Sequence, residues 1–250
     1  GPEIVVGTIT SPLIKKCLTA AQLKSLKGKW EQYLIVADGN RVVIAGSDMR
    51  GAIYGIYELS EQIGVSPWYD WADVPAEQHK NLTIKTGEYT AGEPAVKYRG
   101  LFINDEAPCL TSWVKNTYGT DYGDHRFYAR VFELILRLRG NYLWPAMWMW
   151  SFYADDPLNS PTARDMGVIM GTSHHEPMAR NHQEWARHRG EYGEWNYSTN
   201  KAVLDRFFTE GMERAKDTED IITIGMRGDG DAPLGGKEGH DDEYVSQDDL

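Results

Sequence analysis

The run VKYRGLFINDE, residues 96–106, decides how this chain is read. Val96 to Ile103 has the apolar, β-favouring composition of a strand, and it ends in Asn104, Asp105 and Glu106. The same arrangement recurs downstream. Phe127, Val131, Leu134, Ile135 and Leu138 recur at helical spacing. Asn141 to Trp144 is a second expected strand, leading into Pro145 and Trp148. Val168 to Met170 is a third, apolar enough to be buried on both faces, and it ends in Thr172, Ser173, His174, His175 and Glu176. Leu204, Phe207, Phe208, Gly211 and Ala215 mark another helix, and Ile221 to Ile224 a fourth strand ending in Arg227, Asp229 and Asp231. Repeated strand–helix units imply a parallel sheet. Doubly wound sheets and barrels begin alike, so the period alone leaves both open. Four successive strands that each deliver polar residues at the C-terminal end favour the (β/α)8 barrel, whose sites are built there. Such a barrel takes typically about 250 residues, so residues 96–250 are expected to hold its N-terminal half, truncated before closure.

Residues 1–95 read differently, as a small leading α/β domain. Ile4 to Ile9 is strand-like, and Ser11-Pro12 opens a helix, with Ser able to cap free amides and Pro tolerated at the first helical position. Ile14, Cys17, Leu18 and Ala21 are expected to form its apolar face. Tyr33 to Val36 and Arg41 to Ala45 flank Asp38-Gly39-Asn40, a hairpin signal. Asp48 caps a second helix with Ile53, Ile56, Tyr57, Ser60 and Ile63 on one face, and Gly64 stops it. Pro75, Gly92 and Pro94 then punctuate the chain, which places the boundary near residue 95.

Composition narrows the function. The formal net charge is −11, against nucleic acid and anionic membranes, which are bound by clustered Lys and Arg. One or two local cations still allow an acidic substrate. No apolar run approaches the roughly 20 residues of a membrane span. Cys17 and Cys109 form neither a disulfide framework nor a zinc pattern. Nine Trp and fourteen Tyr offer flat faces with one polar atom each, which suit sugar rings and large cores alike. The first residues already read as a strand, so the start is expected to be trimmed. Asn81-Leu82-Thr83 and Asn196-Tyr197-Ser198 fit the glycan acceptor pattern of secreted proteins, although such triplets are frequent by chance.

The strand ends hold the candidate chemistry. Asp105, Glu106, Asp229 and Asp231 are candidate acid/base carboxylates, since glycosidic cleavage takes one carboxyl as acid and another as base or nucleophile. Solvated loop acids or helix caps are the alternative. His174, His175 and Glu176, with His182 and His188, do not match the zinc spacing of two histidines four apart. Adjacent histidines are expected to point apart, so no metal and no cofactor are expected. A sugar hydroxyl or a polar strand cap suits them better. Arg227 is suited to a bidentate grip on a carboxylate, or equally to a salt bridge with a neighbouring acid. Trp144, Trp148 and Trp150 could stack on sugars, although packing is preferred for at least two of them. Asp229-Gly230-Asp231 and Asp241-Asp242-Glu243 lack calcium-loop spacing.

Five blocks together resemble one family: AGSDMRGAIYGIYELSEQIGVSPWY (45–69), YRGLFINDE (98–106), FELILRL with NYLWPAMW (132–148), GTSHHEPM (171–178) and GMRGDGD (225–231). The chain is similar here, over nearly its whole length, to the glycoside hydrolase family 115 xylan α-glucuronidases. The resemblance implies removal of glucuronic acid, often 4-O-methylated, from α-1,2 linkages on xylan, by inversion and without a metal. It implies a leading domain, a (β/α)8 barrel and further helical and β domains. By residue it places Asp105, Trp148, His174 and Arg227 in the substrate pocket and Asp231 among the acids near the reacting centre. The general-acid glutamate of the family lies on a later strand, beyond residue 250. The implied partner is glucuronoxylan or its oligosaccharides, with a homodimer formed through domains outside this chain. A non-catalytic carbohydrate-binding fragment, a barrel glycosidase acting on another uronic acid or a hexosamine, and a metal-dependent hydrolase remain as alternatives. Half a barrel leaves a sheet edge uncovered, so the chain alone is expected to be inactive and poorly soluble.

Overall fold

A computed structural model describes residues 3–225 and 227–232. They divide into two compact units. One holds the residues up to Arg99 together with Glu133–Asn141. The other holds Gly100–Phe132 and the described residues from Tyr142 onward.

The first unit is a four-stranded mixed sheet with helices. Its elements are β1 (Glu3–Thr8), α1 (Pro12–Cys17), α2 (Ala20–Leu26), β2 (Tyr33–Asp38), β3 (Arg41–Gly46), α3 (Met49–Gln62) and β4 (Gly87–Tyr89). The strand order is β1-β3-β2-β4, with β1 parallel to β3 and the other pairs antiparallel. The β2–β3 hairpin pairs Asp38 with Arg41, so Gly39 and Asn40 form the turn and Gly39 takes the positive φ of 56° that it requires. Ser11 and Asp48 cap α1 and α3 as their sequences predict. The single long helix expected from Ser11 through Ala21 is two helices instead. Thr19 accepts from the Gln22 N–H, and the Gln22 side chain accepts from the Thr19 N–H. This reciprocal capping box starts a new helix where the apolar spacing alone reads as continuous. Val5, Ile14, Leu18, Leu26, Leu34, Val43 and Ala45 form the core between helices and sheet. Each large aliphatic side chain buried this way contributes about 1.5–3 kcal/mol.

A polar cluster is buried within the same unit. Glu31 accepts from Arg99 at 2.6 Å and from Asn141 at 2.8 Å, and Arg50 approaches it at 3.4 Å. Tyr54 donates to the Gly140 carbonyl at 2.8 Å. These bonds tie Glu133–Asn141 to the leading sheet's unit, a long-range closure with no signature in local spacing.

The second unit contains β5 (Gly100–Phe102), α4 (Cys109–Tyr118), the first residues of α5 (His125–Arg137), β6 (Tyr142–Trp144), α6 (Phe152–Asp155), α7 (Asn159–Met166), β7 (Ile169–Met170), α8 (His182–Arg187), α9 (Arg189–Tyr192) and α10 (Tyr197–Ala215). β5, β6 and β7 form a parallel sheet in that order. Gly100 is required by this pairing: a Cβ there would lie 1.8 Å from the Tyr142 carbonyl oxygen. Phe127, Tyr128, Phe132, Trp150 and Phe152 interlock, mostly edge to face, in a buried cluster. Such pairs add about 0.5–1.5 kcal/mol beyond burial.

The strands are shorter than the sequence predicts, and Ile221 to Ile224 forms no strand. The segment does lie beside β7, since the Ile221 N–H donates to the Met170 carbonyl at 2.9 Å. The ladder is interrupted by side chains. Asp220 Oδ1 takes the Met170 N–H at 3.1 Å, and the Thr223 hydroxyl, rather than a backbone amide, donates to the Thr172 carbonyl at 2.8 Å. Burial raises the Asp220 carboxyl above its usual range. Among the described residues no helix is long and apolar enough to cross a membrane.

Candidate active site

The segments that follow β6 and β7, together with residues 227–231, bring the candidate side chains together within the second unit. Asp105 lies just beyond β5 and is fully buried. Its Oδ1 accepts from the Trp148 N–H at 2.9 Å, and its Oδ2 accepts from the Met149 and Trp150 N–H groups at 2.7 and 2.8 Å. Three amides on one carboxylate make it the anchor of the segment after β6. It bears on the surface through that segment and has no solvent-facing atom of its own. Its neighbour Glu106 is exposed and enters no such arrangement.

The three tryptophans separate. Trp150 is buried against Phe127, and Trp144 packs edge-on to Phe102 with its indole N–H donating to Tyr142 at 2.6 Å. Trp148 alone stays half exposed, its ring tilted toward His175 with centroids 6.5 Å apart. Asp105 thus holds the backbone from which that ring projects.

Asp231 is the focus of the polar groups. Its Oδ1 lies 2.8 Å from His174 Nε2 and accepts from Arg227 Nε at 2.9 Å and Nη2 at 2.8 Å. The Arg227 guanidinium also donates to the Asp231 main-chain oxygen. Arg227 therefore makes the salt bridge that its sequence position left open. Desolvation pushes the Asp231 carboxyl up, but the bonds and charges of His174 and Arg227 outweigh it and hold the group below the usual range. The result is an ionised carboxylate open to solvent. Ser173 Oγ sits 3.0 Å from His174 Nδ1 and fixes the other side of that ring.

A second pair lies alongside. Asp229 Oδ1 is 2.9 Å from His182 Nε2 and accepts from Arg189 at 2.8 Å. The Arg189 bonds, chiefly, lower the Asp229 carboxyl. His182 Nε2 also faces the Gly230 N–H at 2.8 Å. One nitrogen cannot donate to Asp229 and accept from Gly230 at once, so the proton on His182 decides which contact is a hydrogen bond.

Beneath these pairs lie two buried groups that the strand-end reading did not assign roles. Burial and the neighbouring His174 lower His175 to about 4, which keeps it neutral. Burial raises Glu176 to about 7, against N–H donation from His182, Asn181 and Ser173. The expectation that adjacent histidines point apart is corrected. The His174 and His175 rings lie 4.9 Å apart, and one donor atom from each of His174, His175 and Asp231 lies within 4.8 Å of the others. Asp231 is 57 residues away, so no local ligand spacing could reveal the cluster. His188 stands outside it, exposed. Asp241, Asp242 and Glu243 lie outside the described residues.

Comparison with known proteins places this geometry in a family. The family model for glycosyl hydrolase family 115 matches residues 91–247, well over half of the chain. A solved structure of a family GH115 4-O-methyl-α-glucuronidase, with specificity for decorated arabinogalactans, is 37% identical and superposes with a TM-score of 0.84. The match covers 94% of this chain and 31% of that enzyme, so the chain spans about a third of its length. A GH138 enzyme targeting pectin rhamnogalacturonan II is 16% identical, with a TM-score of 0.39 over 75% of this chain and 25% of its own, too weak a likeness to carry any argument. No curated protein matches.

Proposed function

The chain belongs to glycosyl hydrolase family 115, and on that premise we propose that the protein of which it forms part removes glucuronic acid, often 4-O-methylated, from α-1,2 linkages on xylan by an inverting mechanism. The observation that carries the reading is Asp231, an accessible carboxylate kept ionised by His174 and Arg227 inside a stretch matched by the family. An inverting glycosidase needs a base that stays ionised, a water beside it and a separate acid, with the carboxyls about 6.5–9.5 Å apart. Asp231 suits the base or a charge-stabilising position near the reacting carbon. The general acid is expected beyond residue 250, where the parallel sheet continues into a (β/α)8 barrel. Trp148 supplies an apolar face for the sugar, with Asp105 fixing its backbone. Arg227 and His174 supply donors for the uronic carboxylate and ring hydroxyls. Arg227 keeps Nη1 for this purpose while Nε and Nη2 hold Asp231.

The proposed partner is glucuronoxylan or its oligosaccharides, with no cofactor, secretion to reach the polymer and a dimer formed through other segments. The specificity of the similar enzyme for decorated arabinogalactans supports a second reading, glucuronic acid removal from that polymer. Kinetics on the chain extended to the length of its relatives test the roles. Asp231→Asn is expected to lower kcat by about 100-fold or more, the contribution of a positioned acid or base. Replacing Arg227 should raise KM or lower kcat for the uronosyl substrate. Unchanged kcat/KM in Asp231→Asn would remove that residue from the reaction.

A further inference from the structure

His175 is buried, and its Nδ1 has no hydrogen-bond partner among the described residues. A buried polar nitrogen without a partner is unfavourable unless something else completes it. In the neighbouring pair, His174 Nε2 and Asp231 Oδ1 share one hydrogen at 2.8 Å. The donor atoms of all three residues lie within 4.8 Å of one another, and His174 and Asp231 are both open to solvent. We propose that His174, His175 and Asp231 form a site for one divalent transition-metal ion of the zinc, nickel or copper type.

Two imidazoles and one carboxylate are the donor set that such ions prefer over magnesium or calcium. Ligands about 2.0–2.2 Å from zinc stand roughly 3.3 Å apart around it. His174 and Asp231, both open to solvent, are the side chains that would move to close the present spread. The ion displaces the hydrogen that His174 Nε2 and Asp231 Oδ1 share, freeing His174 Nε2 to ligate while Asp231 turns Oδ2 toward the ion. His174 Nδ1 then carries its hydrogen toward Ser173 Oγ, 3.0 Å away, the outer bond that orients a ligating histidine. The bonds from Arg227 and His174 to the Asp231 side chain all end on Oδ1, which leaves Oδ2 for the ion. The Arg227 charge beside Asp231 opposes a cation, so binding is weaker than at a structural metal site. Three protein ligands on one side leave the remaining positions to water. If the proposed function is right, Asp231 and His174 serve both roles, and ion and sugar exclude each other. Ion binding itself does not depend on that reading.

Isothermal titration of the full chain with zinc chloride tests the site directly. One ion per chain is expected. His174→Ala and Asp231→Asn, both at exposed side chains and checked for folding by circular dichroism, should each weaken binding by about tenfold or more, as loss of a supporting metal contact alone does. His188→Ala, outside the cluster, should bind as the wild type does. No binding to the folded wild-type chain up to millimolar zinc would overturn the proposal, and so would equal affinity in His174→Ala and Asp231→Asn. Loss of binding in His188→Ala alone would place the ion elsewhere and also overturn it.

Discussion

Replacing Asp105 by Asn removes a charge and one acceptor while keeping the side chain's size. The carboxylate is fully buried and accepts three backbone N–H groups, from Trp148 on Oδ1 and from Met149 and Trp150 on Oδ2. The better of the two amide orientations keeps the carbonyl oxygen toward Met149 and Trp150. The new NH2 then faces the Trp148 N–H, donor against donor. One orphaned buried amide costs about 1–3 kcal/mol, and two surviving bonds lose their charge assistance, about 1 kcal/mol together. The expected loss is about 3 kcal/mol, or roughly 6–12 °C in Tm for a domain of this size. Urea denaturation followed by circular dichroism measures the first, and a thermal scan the second. Glu106→Gln, one residue on and exposed, is the control and should stay within about 0.5 kcal/mol. An Asp105→Asn protein as stable as that control would refute the view that this carboxylate anchors the segment carrying Trp148.

Three further outcomes follow from other parts of the structure. Glu176 is raised by burial to about 7 from 4.5, so the folded state holds a proton that the unfolded state releases. Its contribution to stability is present below pH 4.5 and is lost as pH rises to 7, about 3 kcal/mol in all; Glu176→Gln should remove that slope from the difference between the two pH–stability curves, and parallel curves would contradict it. Glu184 is buried between Arg180 at 2.7 Å and Arg214 at 2.6 Å. Glu184→Ala removes the buried carboxylate that the two guanidinium groups share, while Arg180 keeps Glu210 and Arg214 keeps the Ala179 carbonyl, and should cost about 3 kcal/mol by denaturation; a loss below 1 kcal/mol would show that solvent replaces the carboxylate. Gly100→Ala should destabilise by about 1–3 kcal/mol or more, because a Cβ would strike the Tyr142 carbonyl, and an unchanged midpoint would contradict the β5–β6 register.

Local chemistry was legible where it acts locally. Ser11, Asp48 and the Gly39-Asn40 turn mark caps and a hairpin by residue type alone, and the structure places them accordingly. The parallel order of β5, β6 and β7 follows from strand–helix alternation. Side-chain competition for backbone groups was not legible. Thr19 divides a helix whose apolar spacing is continuous, and Asp220 and Thr223 occupy the bonds that would have made Ile221 to Ile224 a strand. In the candidate site, Arg227, Asp231 and His174 are visible as chemical types. The state of each depends on partners distant in sequence, as with His174 and Asp231, which are 57 positions apart. His175 and Glu176 acquire their displaced proton affinities from burial, which one sequence does not specify.

The most direct test of the account is release of glucuronic acid, measured by chromatography, from glucuronoxylan and from decorated arabinogalactan. The 250-residue chain is compared with a form extended to the length of its relatives. The account predicts free glucuronic acid from glucuronoxylan with the extended form and none with the chain alone. Release from arabinogalactan only would transfer the function to that polymer. No uronic acid from either polymer, with the extended protein folded, would contradict the account.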